Sequence, residues 1–174
     1  MLGAPASGKG TQGRLVAEAL RIPHVSTGTL LRESIDNGDP HDIRETLEGG
    51  DLVPDEIMES LLFPELGEGF VLDGYPRTLA QAERLDAYLD EVGRPLDSAL
   101  ELVVPDGTLA ARLSLRANEE RRSDDTPDVF IRRLVAYHEE ADRLREHYEG
   151  RLVQVDGTGS EDEVFRRLVR AVRP

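Results

Sequence analysis

The residues best suited to do chemistry stand near the start of the chain, in Gly3-Ala-Pro-Ala-Ser-Gly-Lys-Gly-Thr11. Gly3, Gly8 and Lys9 have the spacing G-x-x-x-x-G-K, which is typical of a phosphate-binding loop, and a hydroxyl follows at Thr11. Glycines let backbone N–H groups turn toward a phosphate, and the next helix adds unpaired donors and partial positive charge. Lys9 would supply a mobile cation for the outer phosphates.

Composition supports this interpretation of Lys9. It is the only lysine of the chain, and the other 20 Lys or Arg side chains are arginines. A sequence that otherwise excludes lysine has kept one at the phosphate position, which favours a phosphate-binding loop over a glycine-rich turn. Met1 and Leu2 stand before the loop, where a strand normally has about five or six residues. We therefore expect the first strand to be a stub, and the natural protein to begin several residues upstream.

Length and composition restrict the class of protein. The 174 residues predict one domain, and 39% hydrophobic with 32% charged residues are typical of a globular protein. The sequence has no apolar run of about 18 residues and no basic-then-apolar leader, which predicts a cytoplasmic protein without a membrane span. The absence of cysteine excludes disulfides and Cys-ligated zinc. A net charge of −14 disfavours nucleic acid and anionic membranes as partners.

Short apolar runs alternate with segments of helical spacing, which predicts an α/β fold with a parallel sheet. Residues 70–72 and 99–104 are the clearest strand candidates. The clearest helix begins at Thr126-Pro127, a cap followed by proline at the first helical position. Residues 117–125 have no apolar period and predict an exposed loop.

A second group of chemically capable residues lies in Asp73-Gly-Tyr-Pro-Arg77, directly after a predicted buried strand. Ligands of open parallel α/β sheets bind beyond the carboxyl ends of the strands. Asp73 could there hold a hydrated magnesium ion, and Arg77 could bind a phosphate with two donors. Asp-Gly and Tyr-Pro are also ordinary turn residues, and Gln81 could equally complete a capping box with Thr78.

The third group consists of arginines. Arg112 and Arg116 share a helix face, Arg121 and Arg122 lie in the predicted loop, and Arg133 lies in the helix after it. Like charges four residues apart are unfavourable unless an anion lies between them. Because no carboxylate–histidine pair is evident and the four histidines are isolated, the arginines indicate electrostatic catalysis of phosphoryl transfer. The alternative is a solvated face paired with neighbouring acids.

Taken together, the chain resembles the adenylate kinase family over essentially its whole length. Five motifs occur in that family's order and spacing: Gly3-Ala-Pro-Ala-Ser-Gly-Lys-Gly-Thr-Gln12, Ser26-Thr-Gly-Thr-Leu-Leu-Arg32, Gly50-Asp-Leu-Val-Pro-Asp-Glu56, Asp73-Gly-Tyr-Pro-Arg77 and Arg122-Ser-Asp-Asp125. The resemblance implies a three-layer P-loop nucleoside monophosphate kinase fold with a parallel five-stranded sheet. It also implies an enzyme that reversibly transfers the terminal phosphoryl group of ATP to AMP, with Mg²⁺ and without zinc, and gives two ADP.

The resemblance further implies a role for each matching residue. ATP would be bound by Ala6, Ser7, Gly8, Lys9, Gly10, Thr11, Arg112 and Arg116. AMP would be bound by Thr27, Arg32, Val53, Gly74, Arg77, Gln81, Arg122 and Arg133. The catalytic residues would be Lys9, Arg77, Arg112, Arg122 and Arg133, with Asp73 holding magnesium through water. Residues 26–55 would form an AMP-binding flap and residues 117–125 a short lid, in a monomer that belongs to the short-lid branch.

Two residues depart from the family's pattern, and the sequence leaves open which member of the family this chain resembles most. Ala6 replaces a glycine common in the loop, and Gly13 stands where a residue with a side chain is usual. A UMP/CMP kinase resembles the chain almost as well, although Thr27 favours AMP because pyrimidine relatives tend to carry alanine there. A non-catalytic nucleotide-binding protein derived from a kinase is the alternative that the short first strand supports.

Overall fold

The computed structural model describes residues 1–119 and 126–172, and for residues 115–119 the backbone alone. Within these residues the strands are β1 (Leu2–Gly3), β2 (His24–Ser26), β3 (Val71–Asp73), β4 (Ala99–Val103) and β5 (Leu152–Asp156). The helices are α1 (Lys9–Leu20), α2 (Thr27–Asp36), α3 (Arg44–Gly49), α4 (Asp55–Leu62), α5 (Leu79–Glu91), α6 (Asp106–Glu119), α7 (Pro127–His147) and α8 (Glu161–Val172). A 3₁₀ turn over Phe63–Glu65 follows α4. The predicted alternation of strand and helix is confirmed.

The strands pair in parallel, as predicted, but they form two groups. One group has the order β1-β4-β5 and the other pairs β2 with β3. The expected continuous sheet of five strands is therefore found only in part. The reason is the length of β1, which pairs with β4 through Leu2 and Gly3 and is too short to form a second ladder with β3.

Among the described residues, a hydrogen bond from Met1 connects the two groups of strands. The amino group of Met1 donates to the carbonyl oxygen of Leu72 in β3 at 2.6 Å. Beside Met1, β3 and β4 face each other across an open cleft. Its lining includes Phe70, Leu100 and Tyr148. The amino group thus lies at the inner end of this cleft, although Met1 as a whole is only half-buried.

The position of the Met1 amino group makes stability dependent on pH. Burial lowers its pKa from 8.0 to about 6, although the nearby Asp73 carboxylate acts in the opposite direction. Between these values the unfolded chain binds more protons than the folded chain, so stability rises with pH. We expect the free energy of unfolding to be greater by about 2 kcal/mol near pH 8.5 than near pH 5.5. Urea denaturation at the two pH values measures this difference.

The control is the same chain with an acetylated amino terminus, which has no titrating group there. The pKa of His24 is also lowered by burial, so this histidine contributes its own rise in stability with pH. The acetylated chain should keep the rise in stability that comes from His24 and lose the rise that comes from the Met1 amino group. Identical pH profiles for the free and acetylated chains would contradict the assignment to Met1.

Helices cover both faces of the strands and produce three layers. On one face, Val16 of α1 and Leu168 of α8 pack against Leu102 of β4. On the other face, Ala82 of α5 and Leu144 of α7 pack against strand residues that include Leu2 and Ala99. A separate core beneath α2, α3 and α4 positions the segment predicted as a flap: Val25, Leu31, Ile43, Leu47, Val53, Met58, Leu62 and Leu85.

Helix boundaries agree with the sequence at some ends and correct it at others. Thr126 caps α7 by accepting a hydrogen bond from the Val129 amide, as predicted. By contrast, α6 continues to Glu119, so residues 117–119 are helical and the prediction of a loop there was wrong. Ala117 and Glu119 are good helix formers, and neither glycine nor proline interrupts the segment, so a lack of apolar period did not end the helix. Residues 120–125 of that prediction lie outside the described residues.

A buried carboxylate ties α7 to the strands. Glu101 in β4 is 2% exposed and accepts hydrogen bonds from Arg145 at 2.8–3.1 Å, from Tyr137 at 2.7 Å and from Gln154 at 2.8 Å. Burial alone would raise the pKa of Glu101, but these donors hold it below its ordinary value. An acid in the middle of an apolar strand is therefore ionised and satisfied by side chains from two other elements.

None of the described helices is long and apolar enough to cross a membrane.

Candidate active site

The stretch between β1 and α1 has the backbone of a tight loop. Gly3 and Gly8 have φ values of 135° and 95°, and Gly8 caps α1 in the left-handed region. A Cβ at Gly3 would lie 2.8 Å from the Leu102 carbonyl oxygen, so only glycine fits there. Ala6 has a φ of 62°, where a side chain costs about 1 kcal/mol, so the departure from glycine noted in the sequence falls at a strained position.

Lys9 lies across this loop. Its ammonium donates to the carbonyl oxygens of Gly3 at 2.7 Å and Ala4 at 2.8 Å. The first turn of α1 contains no acidic residue, so its N-terminal N–H groups and dipole face the loop without a nearby carboxylate on the helix. Loop, lysine and helix end together form a concave, positively polarised surface of the kind that binds phosphates.

Arg112 is brought to the same loop from α6. Its guanidinium donates to the carbonyl oxygen of Ser7 at 2.9 Å and to that of Gly157 at 2.8 Å. Of the other arginines predicted to lie here, the Arg116 side chain and Arg122 are outside the described residues. The structure therefore unites Lys9 and Arg112, which are more than one hundred residues apart in sequence, at one loop.

Asp73 ends β3 and lies beside the start of α1. Its Oδ2 is 3.3 Å from the position that a Cβ would occupy on Gly10. The residue is buried, and its Oδ1 has no hydrogen-bond partner among the described residues. A buried carboxylate oxygen without a donor suits a hard cation such as Mg²⁺. No group of three potential metal ligands occurs among the described residues.

A second, small cleft that opens to solvent lies beside Gly74, the residue after Asp73. Its lining includes five residues that the sequence assigned to AMP: Thr27, Val53, Gly74, Arg77 and Gln81. The sequence did not identify the apolar wall of the cleft, although helical spacing on α2 and α4 could have indicated part of that wall. The apolar lining residues are Leu31, Leu47, Leu52 and Met58. The cleft thus combines an apolar wall with polar groups at its base.

The turn after β3 brings the polar groups of this cleft together. Gly74 has a φ of 87°, and a Cβ there would overlap the Thr27 hydroxyl. That hydroxyl donates to the Asp73 carbonyl oxygen at 3.3 Å, and Arg77 Nε donates to the Gly74 carbonyl oxygen at 2.8 Å. Asp73 faces the phosphate loop, and the next residue, Gly74, faces the second cleft. The phosphate loop and the second cleft are therefore neighbours on either side of this turn.

Gln81 does both of the things that its sequence position allowed. Thr78 caps α5 by accepting a hydrogen bond from the Gln81 amide at 3.2 Å. The Gln81 side chain, however, points into the cleft, where its Oε1 accepts from the Arg77 backbone N–H at 2.7 Å and its Nε2 donates to Asp55 Oδ1 at 2.8 Å. The capping box is therefore half formed, and the side chain is left available to the cleft.

Two arginines that the sequence assigned to AMP, Arg32 and Arg133, do not line this cleft. Arg133 on α7 donates to the carbonyl oxygen of Leu47 at 3.2 Å and so connects α7 with α3. The guanidinium of Arg32 lies over the first turn of its own helix, 3.3 Å from the position of a Cβ on Gly28. The structure brings both close to the segment predicted as a flap, but not to the phosphate loop.

His24 explains the unusual glycine in α1. A Cβ at Gly13 would lie 2.9 Å from His24 Nε2, so the imidazole of β2 occupies the space that a side chain at position 13 would fill. In the sequence His24 is one of four isolated histidines, and its spacing does not reveal this contact. Gly13 is accordingly a packing partner of an adjacent strand.

The phosphate loop, the buried aspartate beside it and the second cleft define a P-loop nucleotide phosphotransferase with two ligand sites. Comparison with known proteins gives the family. The adenylate kinase family model matches residues 1–153. The chain is 42% identical to an adenylate kinase of Xanthomonas campestris pv. campestris (strain B100) over 181 residues, covering 99% of this chain and 97% of that protein. Adenylate kinases of Nocardia farcinica and Xylella fastidiosa are 41% and 42% identical with the same coverage.

The chain belongs to the adenylate kinase family of nucleoside monophosphate kinases. Its reaction is the transfer of the terminal phosphoryl group of ATP to AMP, which gives two ADP.

Proposed function

We propose that the phosphate loop is the ATP site and that the second cleft is the AMP site. The observation that supports this assignment is the adjacency of Asp73 and Gly74, since it places the two sites on either side of one turn. The proposed ATP ligands are Ala6, Ser7, Gly8, Lys9, Gly10, Thr11, Arg112 and Arg116. The proposed AMP ligands are Thr27, Arg32, Val53, Gly74, Arg77, Gln81, Arg122 and Arg133.

The reaction needs no general base, because the attacking group is already a phosphate. Catalysis then consists of aligning the two nucleotides and neutralising the charge that develops between them. Lys9 and Arg112 act from the loop side and Arg77 from the cleft side, with Arg122 and Arg133 as further cations. Lys9 exchanges its carbonyl partners on the loop for phosphate oxygens when ATP binds.

Asp73 is the proposed protein group for Mg²⁺, which it holds through water. The buried Oδ1 beside Gly10 supports this role. When bound, the ion offsets phosphate charge and orients the donor oxygens.

The surrounding segments complete the proposal. Residues 26–55 form a flap over AMP, and residues 117–125 contribute a short lid; both close to exclude water, since an open site would hydrolyse ATP. The contact of Arg133 with Leu47 supports a connection between α7 and the flap. The Met1–Leu72 hydrogen bond supports a single sheet of order β2-β3-β1-β4-β5. Following the resemblance, the enzyme is a monomer.

A coupled assay of ADP formation from ATP tests the acceptor. AMP should be used at least about ten-fold faster than CMP or UMP, because the resemblance associates threonine at position 27 with AMP and alanine with pyrimidine monophosphates. Thr27→Ala should narrow this preference, whereas Thr29→Ala, two residues along the same helix and exposed, should leave it unchanged. The ratio of acceptors is measured, so a loss of stability common to all acceptors cancels.

Two other results would reject parts of the proposal. Equal or faster use of CMP or UMP would identify a pyrimidine nucleotide kinase of the same fold. Binding of ATP without ADP formation from any monophosphate would identify a non-catalytic nucleotide-binding protein.

A further inference from the structure

The Gln81 side chain is held by two partners of opposite hydrogen-bonding character. It is 3% exposed and lies at the base of the second cleft. Its Nε2 donates to Asp55 Oδ1 at 2.8 Å, and its Oε1 accepts from the Arg77 backbone N–H at 2.7 Å. Asp55 is the first residue of α4, and Arg77 lies in the turn before α5. The amide therefore joins the start of α4 to the turn before α5.

These partners leave the amide one orientation. An ionised carboxylate can only accept hydrogen bonds, and a backbone N–H can only donate. Rotating the amide by half a turn would place its oxygen against Asp55 and its NH₂ group against the Arg77 N–H, and both hydrogen bonds would be lost. A glutamine amide without such partners presents donor and acceptor interchangeably, but here the pattern is fixed.

The fixed amide still has binding capacity for a ligand. An NH₂ group has two donors and an amide oxygen has two lone pairs, and Gln81 uses one of each. The remaining donor and acceptor match the edge of a 6-aminopurine, which offers an exocyclic NH₂ group beside a ring nitrogen that accepts. A 6-oxopurine offers an oxygen in place of the NH₂ group, so an acceptor would meet an acceptor.

We propose that Asp55 is a positioning residue that orients the Gln81 amide and thereby makes the cleft select a 6-aminopurine over a 6-oxopurine monophosphate. This inference rests on the proposed role of Gln81 in the AMP site. Asp55 does not contact the base in this arrangement; it acts through the hydrogen bond to Gln81. Because Asp55 also begins α4 at the end of the proposed flap, base selection depends on a residue that joins the flap to α5.

The test compares AMP with IMP, which differ in the group at purine position 6. The variants are Asp55→Ala, Asp55→Asn and Glu56→Ala, and the last is the matched control because Glu56 is the exposed neighbouring acid in the same helical turn. For each protein, kcat/KM is measured with both monophosphates at saturating ATP, and Kd for both is measured by calorimetry.

We expect Asp55→Ala to lower the preference for AMP over IMP by about ten-fold, the equivalent of one net hydrogen bond. The loss should appear mainly in the KM and Kd of AMP, with the KM of ATP unchanged. Asp55→Asn should restore much of the preference, because its amide oxygen can still accept from Gln81. Glu56→Ala should behave as the unchanged protein.

Three results would overturn the inference: an unchanged AMP/IMP ratio in Asp55→Ala, equal losses for AMP and IMP, or the same effect from Glu56→Ala. A protein destabilised in general would lose affinity for both purines, and the isosteric asparagine variant keeps the comparison available if alanine impairs folding. If the unchanged chain forms no ADP, the proposed function fails, and the ratio of the two Kd values still decides the role of Asp55.

Discussion

Replacing Lys9 with alanine is expected to lower kcat for ADP formation by about a hundred- to a thousand-fold, with little change in the thermal midpoint of unfolding. Lys9 is the only lysine of the chain, and its ammonium reaches the carbonyl oxygens of Gly3 and Ala4 at the centre of the phosphate loop. Removing it takes away a positive charge where charge develops during transfer. The rate is measured with saturating ATP and AMP, so a loss of affinity does not contribute.

The matched control is Arg14→Ala, which removes a cation one turn further along α1. Arg14 is well exposed and pairs only at 3.9 Å with Glu18, so its removal should leave kcat within about two-fold of the unchanged protein. Near-normal turnover in Lys9→Ala, or an equal loss in Arg14→Ala, would contradict the assignment of the phosphate loop.

The largest expected effect on stability concerns the buried carboxylate in β4. Replacing Arg145 with alanine should lower the free energy of unfolding by about 3 kcal/mol, because Glu101 would remain buried without its cationic partner. Tyr137 and Gln154 would still donate to the carboxylate, which limits the loss. Urea denaturation at neutral pH measures the difference.

Arg143→Ala provides the comparison on the same helix. Its guanidinium is 64% exposed and pairs with Glu140 at 2.9 Å on the surface, so the expected change is within about 0.5 kcal/mol. Equal and small effects of the two substitutions would show that Glu101 does not depend on Arg145.

The sequence predicted those features of the fold that depend on local pattern. Spacing placed the phosphate loop and α1, a short apolar run placed β3, and Thr126-Pro127 placed the start of α7. Each of these depends on glycine, proline or apolar period within a few residues. The end of α6 at Glu119 was missed for the same reason, since a helix can continue on a polar surface without an apolar stripe.

Five residues that the sequence assigned to AMP line the second cleft, but the contacts among them could not be predicted. Thr27, Gly74 and Gln81 were each identified, yet nothing in their spacing shows that Gln81 donates to Asp55. The space for His24 beside Gly13 is likewise set by the distance between a helix and a strand. Such contacts join residues that are distant in sequence, and single-sequence patterns contain only local periods and turn types.

Glu101 shows the same limit more strongly. An acid within Ala-Leu-Glu-Leu-Val would ordinarily predict an exposed position on that strand. Its donors come from α7 and β5, 36 to 53 residues away, so only the packed structure shows that the charge is satisfied.

The cleft beyond Met1 has a consequence for how the molecule meets other chains. Along this cleft β3 pairs with β2 alone among the described strands, and Ala99 and Leu100 of β4 pair with β5 alone, so each strand has one unpaired edge there. Proteins ordinarily protect such edges at the rim of a sheet by charge, proline or a covering element, because an unprotected edge is a template for pairing with a foreign strand. Here the unpaired edges are at most three residues long, and because such short edges limit pairing with a foreign strand, the cleft offers an added segment few backbone partners.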